Sequence, residues 1–540
     1  MVEQIRADVL VAGGGMGGLM AGARAHMAGA RVVVLTGVPG ASIRMAGFST
    51  ALLDAPEDRP ECLFNDMFIA GGFINNPPLL ATIVERIGPE TRFLQTLGVP
   101  FHQQGERLAR RQAAGVSWPR AVFTPDMVGQ DAGARLTRRL WAAGSPPVWV
   151  LDKGFLLDLD LRDGAVCGGL AYLRPEERWV HIEAPAVVLA TGGAGRLYRK
   201  TTNFAGSIGI GYALALEAGA PLVDMEFVSF EPTVAVAPPG IAEMELPTMA
   251  FSEGARLLNG RGEVFLETMP PPSKDLMCRA ILREVSEGRG TSNGGVYYNL
   301  SQMAPEAALR YAQVRRVLKA LGQNPAEAQI DVAPTQHYVM GGIRTDENAA
   351  TDVPGLFAVG EVAGGAHGAH RLATCGGTEV ISMGAIAGEQ AARYAQGRTL
   401  SAGPAPRGAM PELLQEAMDT SDTARLEEIR TALEEGCGVL REQGQIQRTL
   451  ASLDTIQEQL HREGRMRTYV GRAVLVASAI ALSASRRVES RGDHFRTDYP
   501  NRDDRRWLGN LVATMAQNRW GIEVTFEKAG IGARAPVSVR

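Results

Sequence analysis

The chain has 540 residues, which is too long for one ordinary core and predicts about three or four structural units. Its composition is that of a globular protein, with 45% apolar residues, 21% charged residues and a net charge of −4. Because nucleic acids and anionic membranes require a clustered basic excess, this balance gives no reason to expect either as a partner.

The five cysteines are scattered along the chain, and no two of them form a CxxC pair. Such spacing predicts neither a disulfide framework nor an iron–sulfur or zinc site, and it fits a reducing cytoplasm best. The most apolar late stretch, residues 473–484, has about half the length that a bilayer crossing needs, so it predicts a buried helix. We therefore expect a cytoplasmic protein without a metal centre, at most peripheral to the inner face of a membrane.

The first elements along the chain are a strand, a glycine turn, a helix and a second strand, over residues 8–35. The turn fits the dinucleotide-binding pattern GxGxxG, and its candidate contacts are Gly13, Gly15, Met16, Gly17 and Gly18. In this pattern the first glycine makes the turn, the second leaves room for a pyrophosphate, and the third lets the helix pack on the strand. Thr36 ends the second strand, where an acidic residue usually holds the ribose, and its hydroxyl offers a weaker bond.

Two later apolar runs end at glycines, which is typical of buried parallel strands. They cover residues 184–190 and 355–361. Between residues 234 and 336 the sequence changes to prolines, mixed charge and alternating strand-like and helical pieces. Beyond residue 405 the apolar residues recur at helical spacing, and for the charged, then glycine-rich segment 501–540 we expect an irregular tail.

Three groups of motifs resemble the flavoprotein subunits of succinate dehydrogenase and fumarate reductase, and L-aspartate oxidase. Residues 192–233 resemble the pattern GGxGRxYxxTTN…DMEFxQFHPT. Residues 337–343, 354–361 and 367–372 resemble HYxMGGI, PGLYAxGE and HGANRL in that order, and residues 489–500 resemble ESRGAHxRxDFP. Together with the glycine turn, these motifs identify the chain as a divergent member of this family.

The resemblance implies an α/β fold in which a Rossmann-like FAD-binding domain is interrupted by an α+β capping domain and followed by a C-terminal helical domain. The expected FAD-binding parts, capping domain, helical domain and tail are 1–233 with 337–400, 234–336, 405–500 and 501–540. The substrate would lie against the isoalloxazine ring, between the flavin and capping domains. In such enzymes a hydride passes between flavin N5 and one carbon of a C–C bond, while a protein group handles a proton on the neighbouring carbon.

The FAD contacts that the resemblance implies lie at the glycine turn, at strand ends and in the second half of the chain. Beyond the turn and Thr36 they are Ala190, Thr191, Gly192, Gly360, Glu361, Arg371 and Glu379. Glu361 ends a strand where its carboxylate suits the ribityl hydroxyls. Succinate dehydrogenases commonly tether the flavin through a histidine just after the second strand, but no histidine stands between His26 and His102. We therefore expect non-covalent FAD.

The residues that the family motifs assign to substrate binding are Arg371, His337 and Ser252. The planar fork of Arg371 suits a bidentate bond to a carboxylate, although a structural salt bridge is the alternative. His337 opens the motif HYxMGGI, with a core histidine bonded to backbone as the alternative. Ser252 takes the place of the substrate-binding threonine in the family motif TEGxR.

The same motifs imply a proton relay to solvent. Glu253 and Arg256 match the acid and the arginine of TEGxR, and a surface ion pair is the alternative for them. Alignment forward from Lys274 places the family's proton-donating arginine at Arg279, whereas alignment back from Glu287 leaves that arginine deleted. We favour Arg279 as the proton donor. An arginine exchanges protons only with neighbouring positive charge and a paired carboxylate.

Glu231 is the departure from the family with the clearest electrostatic consequence. It stands where the motif HPT has the histidine that binds the second carboxylate of the substrate. Two like charges about 4 Å apart repel by roughly 4 kcal/mol at an effective dielectric near 20, unless one is protonated or a cation intervenes. We therefore expect Glu231 to exclude plain succinate and fumarate, and we regard it as the first alternative acid or base.

The leading hypothesis is an FAD-dependent enzyme that reduces or dehydrogenates a C–C bond next to a carboxylate, on a substrate other than succinate or fumarate. One alternative is an amino-acid oxidase of the L-aspartate oxidase type, in which Glu231 would meet the substrate ammonium. The other is a flavoprotein subunit of an electron-transfer complex with little chemistry of its own. Without cluster-binding cysteines in this chain, electrons must pass to an iron–sulfur subunit, another protein, a quinone, a small carrier or oxygen.

Overall fold

The computed structural model describes residues 2–55, 57–174, 176–267, 272–398, 400, 420–516 and 520–528. Its centre is a parallel sheet of five strands, which we call the central sheet. Its order from one edge to the other is Leu356–Ala358, Ala186–Leu189, Val9–Ala12, Val32–Thr36 and Val148–Asp152. The first four of these strands are almost entirely buried, which explains their nearly continuous valine and leucine.

Helices cover the central sheet, and glycines bring two of them into close contact. The helix Met16–Met27 packs against the helix Cys375–Ala395. A Cβ atom at Gly388 would lie 2.1 Å from the backbone oxygen of Ala21, so a side chain there would force the two helices apart. Other helices of this part of the chain are Pro60–Ala70, Pro77–Thr96 and Val128–Trp141.

A second sheet of four strands shares its apolar core with the central sheet. Its order is Glu3–Arg6, Arg178–Glu183, Ala165–Leu173 and Gly154–Arg162. Leu156 and Ile182 of this sheet lie in one cluster with Leu10 and Val33 of the central sheet. Two small ladders complete this region: Gly47–Ser49 with Ala121–Phe123, and Gln103–Gln104 with Arg107–Leu108.

The capping sheet is a separate antiparallel sheet inserted between two strands of the central sheet. Its strand order is Val228–Ala235, Gln329–Val339, Val296–Asn299 and Arg256–Leu258. It has its own apolar core, which includes Phe251, Ile281, Tyr298 and Leu318. The helices of this region are Lys274–Ser286, Pro305–Ala308 and Ala312–Leu321.

The C-terminal part is helical and then returns to a sheet. Its helices are Thr420–Gly436, Gln443–Arg462, Tyr469–Arg486 and Asp504–Trp507. The expected buried helix is confirmed, since residues 473–484 lie within Tyr469–Arg486 and are almost wholly buried. The start of the expected helical domain, 405–419, lies outside the described residues.

The expectation of an irregular tail from residue 501 is wrong for its middle part. The strands Gly509–Met515 and Ile522–Lys528 pair with each other, and the first also pairs with Leu222–Val223. They complete a five-stranded sheet whose remaining strands are Gly342–Arg344 and Ala363–Gly364. The strand Gly509–Met515 was missed because its apolar and polar residues do not alternate regularly. The strand Ile522–Lys528 was missed because its charged, mostly exposed residues at the sheet edge resemble an irregular segment. Residues 529–540 lie outside the described part.

Short elements join these layers. They are the helix Ile210–Ala218 and the 3₁₀ turns Ala41–Arg44, Gly195–Leu197, Pro239–Ile241, Thr248–Glu253 and Gly360–Val362. Among the described residues, no helix is both long and apolar enough to span a bilayer. The structure confirms the expected fold class, a parallel α/β core with an inserted α+β capping sheet and a helical C-terminal part.

Candidate active site

The glycine turn packs so tightly that its first and last glycines cannot be replaced. Gly13 has φ +128°, and a Cβ atom there would lie 2.1 Å from the carbonyl oxygen of Ala190. A Cβ at Gly18 would lie 1.9 Å from the carbonyl oxygen of Gly13. Gly15 is different, because its Cβ would meet only the hydroxyl of Ser42, at 3.4 Å. The second glycine therefore leaves space in front of the helix, where the dinucleotide pattern needs room for phosphates.

The helix that follows the turn presents its first backbone groups to this space. The N–H of Met16 donates to the hydroxyl of Ser42 at 3.2 Å. Gly17 faces the second half of the domain, since its Cβ would lie 3.2 Å from Val359 Cγ2. Gly192, with φ +77°, has nothing within 4 Å of its Cβ position. These glycines thus outline an open groove at the carboxyl ends of the central strands.

The acid that is missing from the second strand is supplied by its neighbour. Thr36 and Asp152 are paired in register at the ends of adjacent parallel strands. The hydroxyl of Thr36 donates to Asp152 Oδ1 at 2.9 Å. Asp152 is exposed and can therefore bond ribose hydroxyls at the point where the pattern requires an acid. The sequence pattern missed Asp152 because it lies more than a hundred residues from the glycine turn.

Two buried carboxyl groups and a hydroxyl form the inner end of the groove. Glu361 Oε1 accepts a hydrogen bond from the N–H of Val339 at 3.0 Å, and Glu379 Oε1 accepts one from the N–H of Gly360 at 3.1 Å. Burial raises the pKa of Glu361 to about 7 and that of Glu379 to about 8. Glu379 Oε2 and Thr191 Oγ1 are buried and have no hydrogen-bond partner among the described residues.

These unpartnered polar atoms indicate that the groove is built to hold a polar ligand, because buried polar groups are otherwise hydrogen-bonded. The glycine turn suits a pyrophosphate, and the hydroxyl and carboxyl groups suit the hydroxyls and ring heteroatoms of a flavin nucleotide. The residues present therefore fit FAD.

Arg371 lies where the FAD groove meets the capping sheet. Its Cζ is 4.5 Å from the ring centroid of Tyr338, and its buried Nε has no hydrogen-bond partner in the described part of the chain. Burial raises the pKa of Glu379 in the groove and the pKa of Glu245 on the capping side, and the positive charge of Arg371 lowers both values in part. The guanidinium of Arg371 therefore acts electrostatically on both the FAD groove and the space between this groove and the capping sheet.

His337 lies on the capping side of this space, and three cations surround it: Arg371, Lys274 and Arg44. Thr202 Oγ1 is in hydrogen-bonding contact with His337 Nδ1 at 2.9 Å. Burial, together with the charges of Arg371, Lys274 and Arg44, holds the pKa of His337 well below its usual range. The imidazole is therefore neutral. When Nδ1 accepts the proton of the Thr202 hydroxyl, Nε2 carries the ring proton and can donate it to a ligand.

Glu231 is nearly fully buried and forms an ion pair with Lys274, the first residue of the helix Lys274–Ser286. The expected repulsion of a second substrate carboxylate by Glu231 is therefore offset by a cation that sequence analysis did not assign. Nearby Glu245 is less well compensated. Glu245 Oε1 lies 3.6 Å from Nδ1 of His337, which is neutral and therefore does not neutralise the charge of the carboxylate.

The structure does not assemble the expected proton relay. Glu253 accepts hydrogen bonds from Arg310 Nη2 at 2.6 Å and from the hydroxyl of Tyr311 at 2.8 Å, on an exposed face of the capping sheet. The hydroxyl of Ser252, also exposed, donates to the carbonyl of Met249. Arg256 Nη1 donates to the carbonyl of Ala255 at 2.7 Å.

Arg279 is likewise engaged elsewhere. It pairs with Asp275 at 2.7 Å, one helical turn earlier, and its Cζ lies 4.4 Å from the ring centroid of Phe495. Lys274 and Arg279 are five residues apart, so they project about 140° apart around the helix. Lys274 reaches Glu231, whereas Arg279 points toward the C-terminal part. The alignment from Lys274 predicted the position of the proton donor in the sequence. It could not predict which face of the helix carries Arg279.

Sequence reasoning missed Lys274, Glu245, Arg44 and Thr202. Arg44 donates to the carbonyl of Thr202, and its Cζ lies 4.4 Å from the ring centroid of Phe204. Thr202 belongs to the quoted motif TTN and could have been found from it. Glu245 lies in a stretch without a family motif, so no sequence signal identified it.

Two family models match this chain. Residues 8–376 match the model described as FAD binding domain, and residues 426–539 match the one described as fumarate reductase flavoprotein C-term. The chain belongs to the succinate dehydrogenase and fumarate reductase flavoprotein family. It binds FAD and is an FAD-dependent oxidoreductase of this type.

Individual relatives include both reductases and oxidases. The chain is 31% identical over 473 residues to a fumarate reductase (CoM/CoB) polypeptide of Methanothermobacter marburgensis, covering 82% of this chain and 84% of the relative. It is 32% identical over 548 residues to L-aspartate oxidase of Streptomyces coelicolor, covering 95% and 92%. The FrdA chain of E. coli quinol fumarate reductase superposes with a TM-score of 0.87 at 28% identity, covering 99% of this chain and 98% of that chain. The family therefore does not specify the substrate.

Proposed function

We propose that this oxidoreductase reduces or dehydrogenates a C–C bond next to a carboxylate, on a substrate other than plain succinate or fumarate. The observation that carries the proposal is the part-buried guanidinium of Arg371, whose buried Nε has no hydrogen-bond partner among the described residues, at the junction of the FAD groove and the capping sheet. FAD, when bound, supplies a hydride donor or acceptor at N5.

We call the space between the FAD groove and the capping sheet the pocket. The cations that surround this pocket would orient the substrate. Arg371 offers a fork that matches a carboxylate, and Arg44 adds a second positive charge on the same side as His337. Neutral His337 can donate a hydrogen bond without adding charge. Together these groups would hold one carboxylate firmly, so that the neighbouring carbons are fixed above the cofactor.

The end of the pocket that carries Glu245 disfavours a second carboxylate. Lys274 compensates Glu231, so the exclusion of dicarboxylates now depends on Glu245. With burial raising the pKa of Glu245 to about 7, this group is largely ionised above neutral pH. A dicarboxylate should therefore bind more weakly as the pH rises through 7, while a substrate with an amide or hydroxyl group at that end should be affected less.

The proposal can be tested at Arg371. We expect Arg371→Lys to raise the KM for the carboxylate substrate and to slow turnover, because a point charge cannot replace a bidentate fork. The bound flavin should keep its absorbance spectrum. Arg6→Lys is a matched control, since Arg6 is an exposed arginine at the end of a strand of the second sheet, where it pairs with Glu183. Wild-type kinetics in Arg371→Lys would show that Arg371 is structural.

Amino-acid oxidation is a second candidate, and Glu245 is the observation that favours it. A carboxylate next to a substrate carboxylate clamp could accept an ammonium, and L-aspartate oxidases are among the relatives. Hydrogen peroxide release under air with an amino acid would support this candidate against the first.

We also propose that the flavin exchanges electrons with a partner protein, such as an iron–sulfur subunit. The described residues contain no group of three or more histidine, cysteine, aspartate or glutamate side chains that could hold a metal. Co-purification of the tagged protein from its own cells, followed by iron analysis, would test this. A flavoprotein that no small acid can reduce or reoxidise would indicate a subunit with little chemistry of its own.

A further inference from the structure

Glu245 is held at a fixed position by the edge of the capping sheet. The N–H of Leu246 donates to the carbonyl of Thr233 at 2.8 Å, and the hydroxyl of Thr233 donates to the carbonyl of Leu246 at 2.7 Å. Glu245 itself forms a β-bridge with Val234. The backbone therefore places the Glu245 side chain beside His337.

Glu245 is also the carboxyl group on which the charges of the pocket converge. Burial and the charge of Glu231 raise its pKa, and Lys274, Arg44 and Arg371 act in the opposite direction. The result is a pKa of about 7. A group that exchanges protons with solvent must also reach water, and 30% of the Glu245 side chain is accessible.

The expected relay residues are not available for this task. Glu253 is tied to Arg310 at the surface, and Arg279 packs over Phe495 of the C-terminal part instead of facing Glu231. Glu231 is engaged by Lys274. Glu245 thus lies 3.6 Å from His337, is partly accessible to water and can gain or lose a proton near neutral pH.

We propose that Glu245 is the acid–base residue of the reaction at this pocket, and this inference rests on the proposed function. In the direction of reduction, the O–H bond of protonated Glu245 breaks and a C–H bond forms on the carbon next to the one that accepts the hydride. The two electrons arrive with that hydride from reduced FAD, and water returns a proton to the Glu245 carboxylate. Dehydrogenation follows the same steps in reverse.

The first test compares Glu245→Gln with Glu243→Gln. Glu243 lies two residues earlier on the same segment but pairs with Arg196 at 3.2 Å, so it is a matched control. Anaerobically reduced protein is mixed with α,β-unsaturated acids, and flavin reoxidation is followed. We expect Glu245→Gln to slow this step about 10²–10⁴-fold with unchanged FAD content, and Glu243→Gln to match the wild type. The wild-type rate should fall above pH 7 as the acid form is lost, and Glu245→Gln should lose this dependence.

The second test needs no turnover and uses malonate, a dicarboxylate without a reducible C–C double bond. Titration calorimetry at pH 7.5, in buffers with different ionisation enthalpies, measures the protons taken up on binding. We expect uptake by the wild type and Glu243→Gln, because a bound carboxylate favours protonated Glu245, and none by Glu245→Gln. Wild-type rates or unchanged proton uptake in Glu245→Gln would overturn the inference. A wild type that takes up protons with malonate but reacts with no unsaturated or saturated acid would contradict the proposed function instead.

Discussion

His370 and Asp493 stand where the family motifs HGANRL and ESRGAH have asparagine and alanine, and in this protein they are partners. His370 Nδ1 lies 2.8 Å from Asp493 Oδ2, and the N–H of Asp493 donates to the carbonyl of Ala369. Burial opposes a charged imidazole here, but the carboxylate of Asp493 outweighs it and raises the pKa of His370. Two departures that look independent in the sequence are therefore one buried ion pair.

This pair predicts strong coupling between the two positions. We expect His370→Asn to be the more damaging single substitution, because it leaves Asp493 buried without its cation, at a cost of about 3–5 kcal/mol. The double variant His370→Asn with Asp493→Ala should recover part of the lost stability. Melting temperatures of the four proteins test this, and additive losses would contradict it.

The same pair has a pH dependence of known sign. A raised pKa in the folded state gives stability that is fully present below the unfolded value of about 6.5 and is lost as the pH rises through the folded value. The other charged or titratable neighbours of His370 are Asp275, Arg371 and His367. The melting temperature of the wild type should therefore fall toward that of the double variant as the pH is raised from 6 to 9.

Lys274 and Arg279 provide a second prediction at the residue scale. We expect Lys274→Met to raise the KM for a carboxylate substrate about tenfold or more, because it leaves the buried carboxylate of Glu231 uncompensated. Arg279→Met removes a partly exposed pair within one helix, worth about 0.5 kcal/mol, so its kinetics should stay near those of the wild type. Near-abolished turnover in Arg279→Met alone would restore the proton-donor role that sequence spacing gave to Arg279.

At the scale of elements, the contact between the helices Met16–Met27 and Cys375–Ala395 joins two distant parts of the chain into one FAD groove. We expect Gly388→Ala to lower both the melting temperature and the FAD content, because its Cβ would clash with the backbone of Ala21 and displace the helix that carries the glycine turn. The ratio of bound flavin to protein measures the loss.

A matched control lies in the helix Val128–Trp141. A Cβ at Gly133 would meet Leu19 Cδ1 at 3.8 Å, an ordinary contact. Gly133→Ala should therefore keep its FAD and gain up to about 1 kcal/mol in helix propensity. Equal FAD content and melting temperature in the two variants would show that the helix contact does not position the turn.

Features that depend on a continuous stretch of sequence could be predicted, whereas contacts between distant elements could not. The glycine turn and the motif around His337 are each continuous in sequence, so the fold class and FAD binding could be predicted from local patterns. The pairs Thr36–Asp152, Glu231–Lys274 and His337–Glu245 join residues that are far apart in the chain. Which charge compensates which is decided by tertiary packing, and that information is absent from residue spacing.

At the scale of the whole molecule, the mode of FAD attachment can be tested directly. No histidine stands in residues 27–101. The structure places Ser42 and Arg44 on the turn that follows the strand Val32–Thr36. We therefore expect acid precipitation to release yellow flavin into the supernatant. Flavin that stays with the denatured pellet would demonstrate a covalent bond through another residue.

The central claim is that the whole assembly acts on a C–C bond beside one carboxylate. The most direct test is anaerobic stopped-flow absorbance, in which reduced protein meets unsaturated acids and oxidised protein meets saturated acids and amino acids. We predict that an α,β-unsaturated acid with one carboxylate reoxidises the flavin at pH 8 and is converted to the saturated acid, with fumarate much slower. Rapid reoxidation by fumarate, or flavin reduction by amino acids alone, would contradict this claim.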